Sequence, residues 1–179
     1  AAGRGRRPEA HGRAGRPAPR PRAGTRLGDL GPALAGVGQE MANLPDINKQ
    51  SLGGALGTGT HGTGRALKAI HGDVLSFRLA TPKGDVISCD RTNTADIFNA
   101  ARVNLGAFGV VSEVTLQNQP LTRVLKRTTV RQLDAAIEEW PALIANHRNV
   151  EFYAIPFTGL AAVITVDETD KPISPRGPD

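Results

Sequence analysis

The 179 residues carry 22 Lys and Arg against 17 Asp and Glu, a formal charge of +5, with a 39% hydrophobic share and one cysteine. That length suits one domain, or one with part of another, since domains usually run to about 100–200 residues; no apolar run approaches the roughly 20 residues that a bilayer crossing needs. The lone Cys89 excludes an internal disulfide and any multi-cysteine metal site, and His11, His61, His71 and His147 show no tight ligand spacing, so no metal is expected.

The charge is unevenly placed. Residues 1–22 hold seven arginines and one glutamate, which leaves 15 of the 22 basic and 16 of the 17 acidic residues to the rest, a charge of −1. This first segment is almost wholly Ala, Gly, Arg and Pro and has no Val, Ile, Leu or aromatic residue to offset its chain entropy, so it is expected to be disordered. An arginine-rich arm for nucleic acid or an acidic partner is the alternative reading of it.

From Ala23 the composition changes. Leu27, Leu30, Leu34 and Val37 recur at three- and four-residue spacing and predict a short helix, opened by Thr25 and closed near Gly36 or Gly38. "MANLPDINKQS" reads as a loop turned at Pro45 and Asp46, and the glycine-rich "GALGTGTHGTG", residues 54–64, follows it. "VLSFRLATPKGDVISCD" predicts a β-hairpin around Thr81–Asp85. Thr94 then caps a helix whose apolar side is Ile97, Phe98, Ala101 and Leu105, with Gly106 as its terminator. "VVSEVTLQ" alternates, with Val111, Glu113 and Thr115 on one face and Val110, Ser112, Val114 and Leu116 on the other.

Beyond Pro120, "TRVLKRTTV" is strand-like. Leu133, Ile137, Trp140 and Leu143 or Ile144 predict a helix that Pro141 kinks or restarts, and "VEFYAIPF" and "LAAVITVDE" are two further strands. Helices and strands mix without βαβ alternation, which makes the fold class α+β with a largely antiparallel sheet.

The glycine segment decides the function class. Gly57-Thr58-Gly59-Thr60-His61-Gly62 fits the dinucleotide spacing Gly-x-Gly-x-x-Gly, yet "KQSLGGAL" before it is too poor in β-branched residues for the buried strand that fingerprint needs. A phosphate-binding P-loop requires Lys after its last glycine, where Thr63 stands. Glycine loses more entropy on ordering than any other residue. So many in one stretch argue for close approach of backbone to a flat or anionic ligand, with threonine hydroxyls and peptide N–H groups as donors.

"SLGGALGTGTHGTG", preceded by "AGTRLGDLGPALAGVGQEMANLPDIN" and followed by "AARVNLGAFGVVSEVTLQ", resembles the FAD-linked oxidases of the vanillyl-alcohol oxidase superfamily, and more narrowly their aldonolactone and alditol oxidase branch. The resemblance implies the second subdomain of a PCMH-type FAD-binding domain over residues 23–120, with a mixed, mainly antiparallel sheet and flanking helices, and the start of a substrate or cap domain over 121–179. It implies FAD as cofactor, lined by Asp46, Ser51, Gly54, Thr58, Gly59, Thr60, His61 and Val111. His61 is expected to bond or pack at the flavin rather than act as general base, since no carboxylate stands near it in sequence.

The implied chemistry is oxidation of a CH–OH group of a sugar lactone or polyol, with oxygen or another electron acceptor reoxidising the flavin. No nucleic acid is expected as partner. The location implied is cytoplasmic, with peripheral membrane association as its variant. Members of the branch carry an earlier "GHS"-type motif whose histidine often links to the flavin; His11 matches it poorly and is given no such role. The catalytic base is expected in cap residues beyond Asp179, so no catalytic residue is assigned, and the chain is expected to be the middle of an oxidase, inactive alone.

Overall fold

The structure, a computed structural model, describes residues 20–174. Helix α1 (Leu27–Ala35) forms where the leucine spacing predicts it, and Leu27, Leu30 and Leu34 are all buried. It is entered from Arg26 rather than Thr25, and Val37 lies past its end and is half exposed. After the two-residue strand β1 (Gln39–Glu40), the glycine-rich segment departs from its expected loop form: it begins as helix α2 (Leu52–Gly57). Glycine is a poor helix former, so "LGGALG" is helical through its surroundings: Leu52, Ala55 and Leu56 are buried, and Ser51 Oγ accepts the Gly54 N–H at 3.2 Å as an N-cap.

The expected hairpin is β2 (Val74–Ala80) with β3 (Val86–Asp90), Phe77 facing Cys89. Helix α3 (Ala95–Ala101) follows, entered from Thr94, whose hydroxyl turns back to accept the Asp90 N–H at 3.0 Å instead of capping. Phe98 and Ala101 point into the core as expected, and Phe98 stacks on Phe77 with ring centroids 5.5 Å apart. Ile97 and Leu105 do not; Leu105 lies past the helix at 80% exposure.

Strand β4 (Val110–Leu116) pairs with the other side of β2, giving the order β3-β2-β4. Its register passes from Arg78 opposite Glu113 to Leu79 opposite Val111, leaving Ser112 as an extra residue. That bulge corrects the expected faces. Strict alternation separates Val111 from Val114 and Leu116, but one extra residue reverses the phase, so Val111 packs on the same core as they do. Along the free edge of β4, the Val114 N–H donates to Pro21 O (3.1 Å) and the Ala23 N–H to Ser112 O (2.8 Å). Pro21 and Arg22, inside the arginine-rich segment, are therefore held on the sheet; residues 1–19 lie outside the described residues.

A short strand β5 (Gln119–Pro120) pairs with β1 and leads into a second layer: β6 (Val124–Gln132), α4 (Leu133–Asn146), β7 (Asn149–Ile155) and β8 (Leu160–Glu168), in the order β6-β8-β7. Every pairing among the described residues is antiparallel. Pro141 neither breaks nor restarts α4. The bond it removes would run to Ile137, and both residues lie on the exposed side, where water can take the orphaned carbonyl. The face of α4 that is buried centres on Ala136 and Leu143, with Trp140 meeting Phe152 edge-on at 5.1 Å; Ile137, expected inside, is exposed.

Candidate functional site

The end of α2 explains part of the glycine pattern. The Gly59 N–H donates to Leu56 O (3.1 Å) and the Thr60 N–H to Ala55 O (2.9 Å), with Gly59 at φ +67°. These are the paired bonds of a Schellman motif, and Gly59 is the left-handed residue that it requires. Thr58 Oγ1 donates to Gly54 O (3.0 Å) and lies 3.3 Å from Thr60 Oγ1, so both hydroxyls gather at the helix end. Ser51, Gly54, Thr58 and Thr60 thus surround one end-to-end face of α2, on which Gly54 and Thr58 are exposed.

Past Thr60 the chain becomes the wall of a cleft. His61, Gly62 and Thr63 line a cavity of about 420 Å³, together with residues 40–44 and Asp46 from the first layer and Lys126, Arg148, Asn149 and Glu151 from the β6-β8-β7 sheet. Gly62 is there because nothing larger fits: a Cβ on it would stand 2.3 Å from Leu44 O and 2.4 Å from Asn43 Oδ1. Asn43 is itself buried, and its amide donates to Thr63 O and Lys68 O, both at 3.2 Å. Several of the close approaches that the glycines permit are therefore to the protein's own backbone. The sequence reading assigned all of them to a ligand.

His61 is exposed, and its Nδ1 lies 2.8 Å from Gly62 O. A carbonyl only accepts, so Nδ1 carries the proton and Nε2 stays unengaged. Asp46, on the same cleft, accepts the Tyr153 hydroxyl at 3.1 Å; this bond, with the Glu151 charge beside it, raises the Tyr153 pKa. Glu40 is already engaged by Gln119 (2.6 Å) and Thr122 (2.7 Å). Lys126 and Arg148 supply positive charge opposite the glycine loop.

Asp46 and His61 are thus brought together on one cleft, and Ser51, Gly54, Thr58, Gly59 and Thr60 cluster on the helix end beside it. Val111 is not in the cleft. It lines, with Leu56 and Gly57, a crevice of about 10 Å³, no more than the space of one water. The cleft residues that sequence reasoning missed are Asn43, Lys126, Arg148, Asn149 and Glu151. Three of them come from strands of the second layer and Arg148 stands just ahead of β7, and none stands in a motif of its own.

Among the described residues no group of three or more His, Cys, Asp or Glu is placed to hold a metal, and no helix is long and apolar enough to cross a membrane. The alternative basic-arm reading falls on residues 1–22, and all but the last three lie outside the described residues.

Residues 20–90 match the family described as "FAD binding domain". L-gulono-1,4-lactone dehydrogenase of Mycobacterium tuberculosis is 35% identical over 152 residues, 85% of this chain and 35% of that protein. Mitochondrial L-galactono-1,4-lactone dehydrogenase of Brassica oleracea is 33% identical over 152 residues, again 85% of this chain but 25% of that protein. L-gulonolactone oxidase of Scyliorhinus torazame is 32% identical, with 84% of this chain and 34% of that protein covered. Among solved structures, the cholesterol oxidase of B. sterolicum superposes with a TM-score of 0.75 at 20% identity, over 87% of this chain and 33% of that one; at that identity the likeness concerns the fold alone.

The family match over residues 20–90 and these relatives support the resemblance of the chain to the FAD-linked proteins of the vanillyl-alcohol oxidase superfamily. The relatives it resembles are named as aldonolactone dehydrogenases and oxidases. It spans about a quarter to a third of the length of those relatives.

The site fits such a cofactor on its own geometry. A cleft of about 420 Å³ lies in the range of small-molecule and cofactor sites, about 300–1,000 Å³. The His61–Thr63 wall brings peptide, hydroxyl and imidazole groups to the cleft, and the opposite wall carries Lys126, Arg148 and Glu151.

Proposed function

We propose that this chain forms one side of the flavin site of an oxidoreductase that acts on the CH–OH group of a sugar lactone or polyol. The observation that carries the reading is the cleft itself, in which the His61–Thr63 loop faces the strands of the second layer. Bound FAD would supply two-electron redox chemistry at that cleft.

This chain's own residues bind and orient. Ser51, Gly54, Thr58, Gly59 and Thr60 line the cofactor along the helix end, where the two threonine hydroxyls meet it without charge conflict. Asp46 and His61 face it in the cleft. His61 holds its Nδ1 proton on Gly62 O and presents Nε2, so it orients by hydrogen bonding. No carboxylate accepts from its ring, which leaves it without the partner that prepares a general base. Val111 stands behind the helix, where it lines one crevice with Leu56 and Gly57. Lys126 and Glu151 are the groups placed to meet hydroxyls of a polar substrate. Oxygen or another electron acceptor completes the turnover. The domain division that accompanies this reading is 23–120 for the cofactor layer and 121–179 for the substrate layer.

The test is a titration of the chain with FAD, followed by its visible absorbance and fluorescence, and then addition of L-gulono-1,4-lactone, an alditol or a sterol with a dye acceptor. The expected result is a weak but saturable flavin perturbation without turnover by the chain alone; any dye reduction that does occur should be with lactone or alditol. No flavin perturbation overturns the cofactor site. Dye reduction by the sterol instead of the sugars overturns the substrate class.

A further inference from the structure

We infer that Arg148 and Asn149, at the start of β7, form a latch that positions the His61–Gly64 wall of the cleft from the second layer. The inference rests on the flavin-site reading for its purpose, but not for its geometry.

Asn149 Nδ2 donates to Thr63 O at 2.7 Å, across 86 residues of sequence. The same carbonyl accepts from Asn43 Nδ2 at 3.2 Å, so two amides from different layers hold one peptide. The Asn149 amide is not free to turn over. Its Oδ1 accepts from Arg148 Nη1 at 2.6 Å, and reversing it would set an NH₂ against the guanidinium and an oxygen against the Thr63 carbonyl. Arg148 in turn is fixed at three points: Nη2 donates to Ala42 O (2.6 Å), its N–H donates to Asp167 Oδ1 (3.0 Å), and Nε faces Glu168 at 3.5 Å. The guanidinium therefore spans from the β8 carboxylate to the loop ahead of the glycine segment.

Gly64 closes the latch. It holds φ +108°, and a Cβ there would stand 2.6 Å from Arg148 O, so the loop backbone lies directly on the start of β7. His61 is thus held by α2 on one side and by a two-layer clamp on Thr63 on the other. Arg148 and Asn149 are positioning residues in this scheme; they act through the loop.

The experiment uses Asn149→Asp in the chain, with Arg148→Lys as a second variant and Arg78→Gln as a control at the exposed Arg78–Glu113 pair of the other sheet. Asn149→Asp keeps shape and keeps an acceptor for Arg148, but sets an oxygen against Thr63 O. Arg148→Lys keeps the charge facing Glu168 and loses the fork that reaches both Asn149 and Ala42. The readouts are amide hydrogen exchange over residues 60–67, the ring nitrogen resonances of His61, and the thermal midpoint.

In Asn149→Asp, exchange at Thr60 and Leu67, whose N–H groups bond at the two ends of the loop, should rise about tenfold, the factor that one hydrogen bond contributes, and the His61 ring signals should shift. Arg148→Lys should do the same more weakly, and Arg78→Gln should do neither. Unchanged exchange and unchanged His61 signals in a folded Asn149→Asp overturn the latch. So does a rise in exchange spread over the whole sheet, which marks general destabilisation. If Asn149→Asp fails to fold, Arg148→Lys decides by the same two signals. An FAD titration of the same proteins separates the two readings: a latch that holds in a chain without FAD affinity leaves the latch standing and removes the flavin-site reading.

Discussion

Gly62→Ala is the sharpest test of the claim that the glycine loop is packed against its own protein. The new methyl would stand 2.3 Å from Leu44 O, about 1.1 Å inside the 3.4 Å at which ordinary contact begins, and 2.4 Å from Asn43 Oδ1. Leu44 O is backbone and cannot rotate away, so either the loop or Asn43 must shift. Overpacking of this kind costs about 1–3 kcal/mol. Moving Asn43 also weakens its bonds to Thr63 O and Lys68 O, each contributing about 0.5–1.5 kcal/mol. A loss of about 3 kcal/mol follows, which for a chain of this size lowers the thermal midpoint by about 6–12 °C. Gly24→Ala is the matched comparison. Nothing lies within 4 Å of its Cβ position and its φ is not left-handed, so it should stabilise by about 0.4–1 kcal/mol through the unfolded chain. Differential scanning calorimetry of the two variants checks both signs. A Gly62→Ala midpoint within a degree of the parent would refute the reasoning, because it would mean that the Leu44–Asn43 wall yields at no cost.

Three further outcomes are expected. Burial, then the Arg102 charge, then His61 hold the His71 pKa below its ordinary value; stability should therefore fall as the pH drops through the unfolded value of about 6.5. In His71→Gln the slope of midpoint against pH between pH 7.5 and 5 should flatten; a slope equal to the parent's contradicts the assignment. Ser51→Ala removes the N-cap of α2 and should cost about 1 kcal/mol, read as a lower urea midpoint at unchanged m-value. Cys89 is fully buried, and burial raises its thiol pKa, so a thiol reagent should leave it untouched in the native chain and titrate one thiol after denaturation; native-state labelling at the denatured rate contradicts the burial.

What could be read ahead of the structure was whatever repeats at short range. The leucines of α1 and the Thr81–Asp85 turn carry local signals, and both stand where the spacing puts them. What could not be read was which face of an element meets a neighbour. Ile97 and Ile137 fit helical spacing as well as Phe98 and Ala136 do, but only contact with β2 and with the second sheet decides that the latter pair is buried. The Ser112 bulge is invisible for the same reason, because a register shift belongs to a pair of strands and a sequence shows one at a time. Pro141 does not restart α4, because a helix tolerates the missing bond when it falls on the wet side. At the site, "GTGTHG" stood out as a motif, whereas Asn149 meets Thr63 across 86 residues with no pattern to mark it.

The glycine segment joins two purposes that its composition alone makes look like one. Gly59 ends a helix, and Gly62 and Gly64 let the chain pass between Asn43 and Arg148. Between the last bond of the Schellman motif, at Thr60, and the doubly held carbonyl of Thr63, only His61 and Gly62 remain unanchored, and the His61 ring returns to Gly62 O. The conformational entropy that so many glycines would otherwise retain is removed by folding, before any ligand arrives. A loop ordered in that way does not have to be ordered again on binding, which keeps the affinity of the cleft from being spent on the loop. The glycines are in this sense a packing device whose product is a rigid wall, and the exposed imidazole at its tip owes its orientation to backbone contacts on both sides.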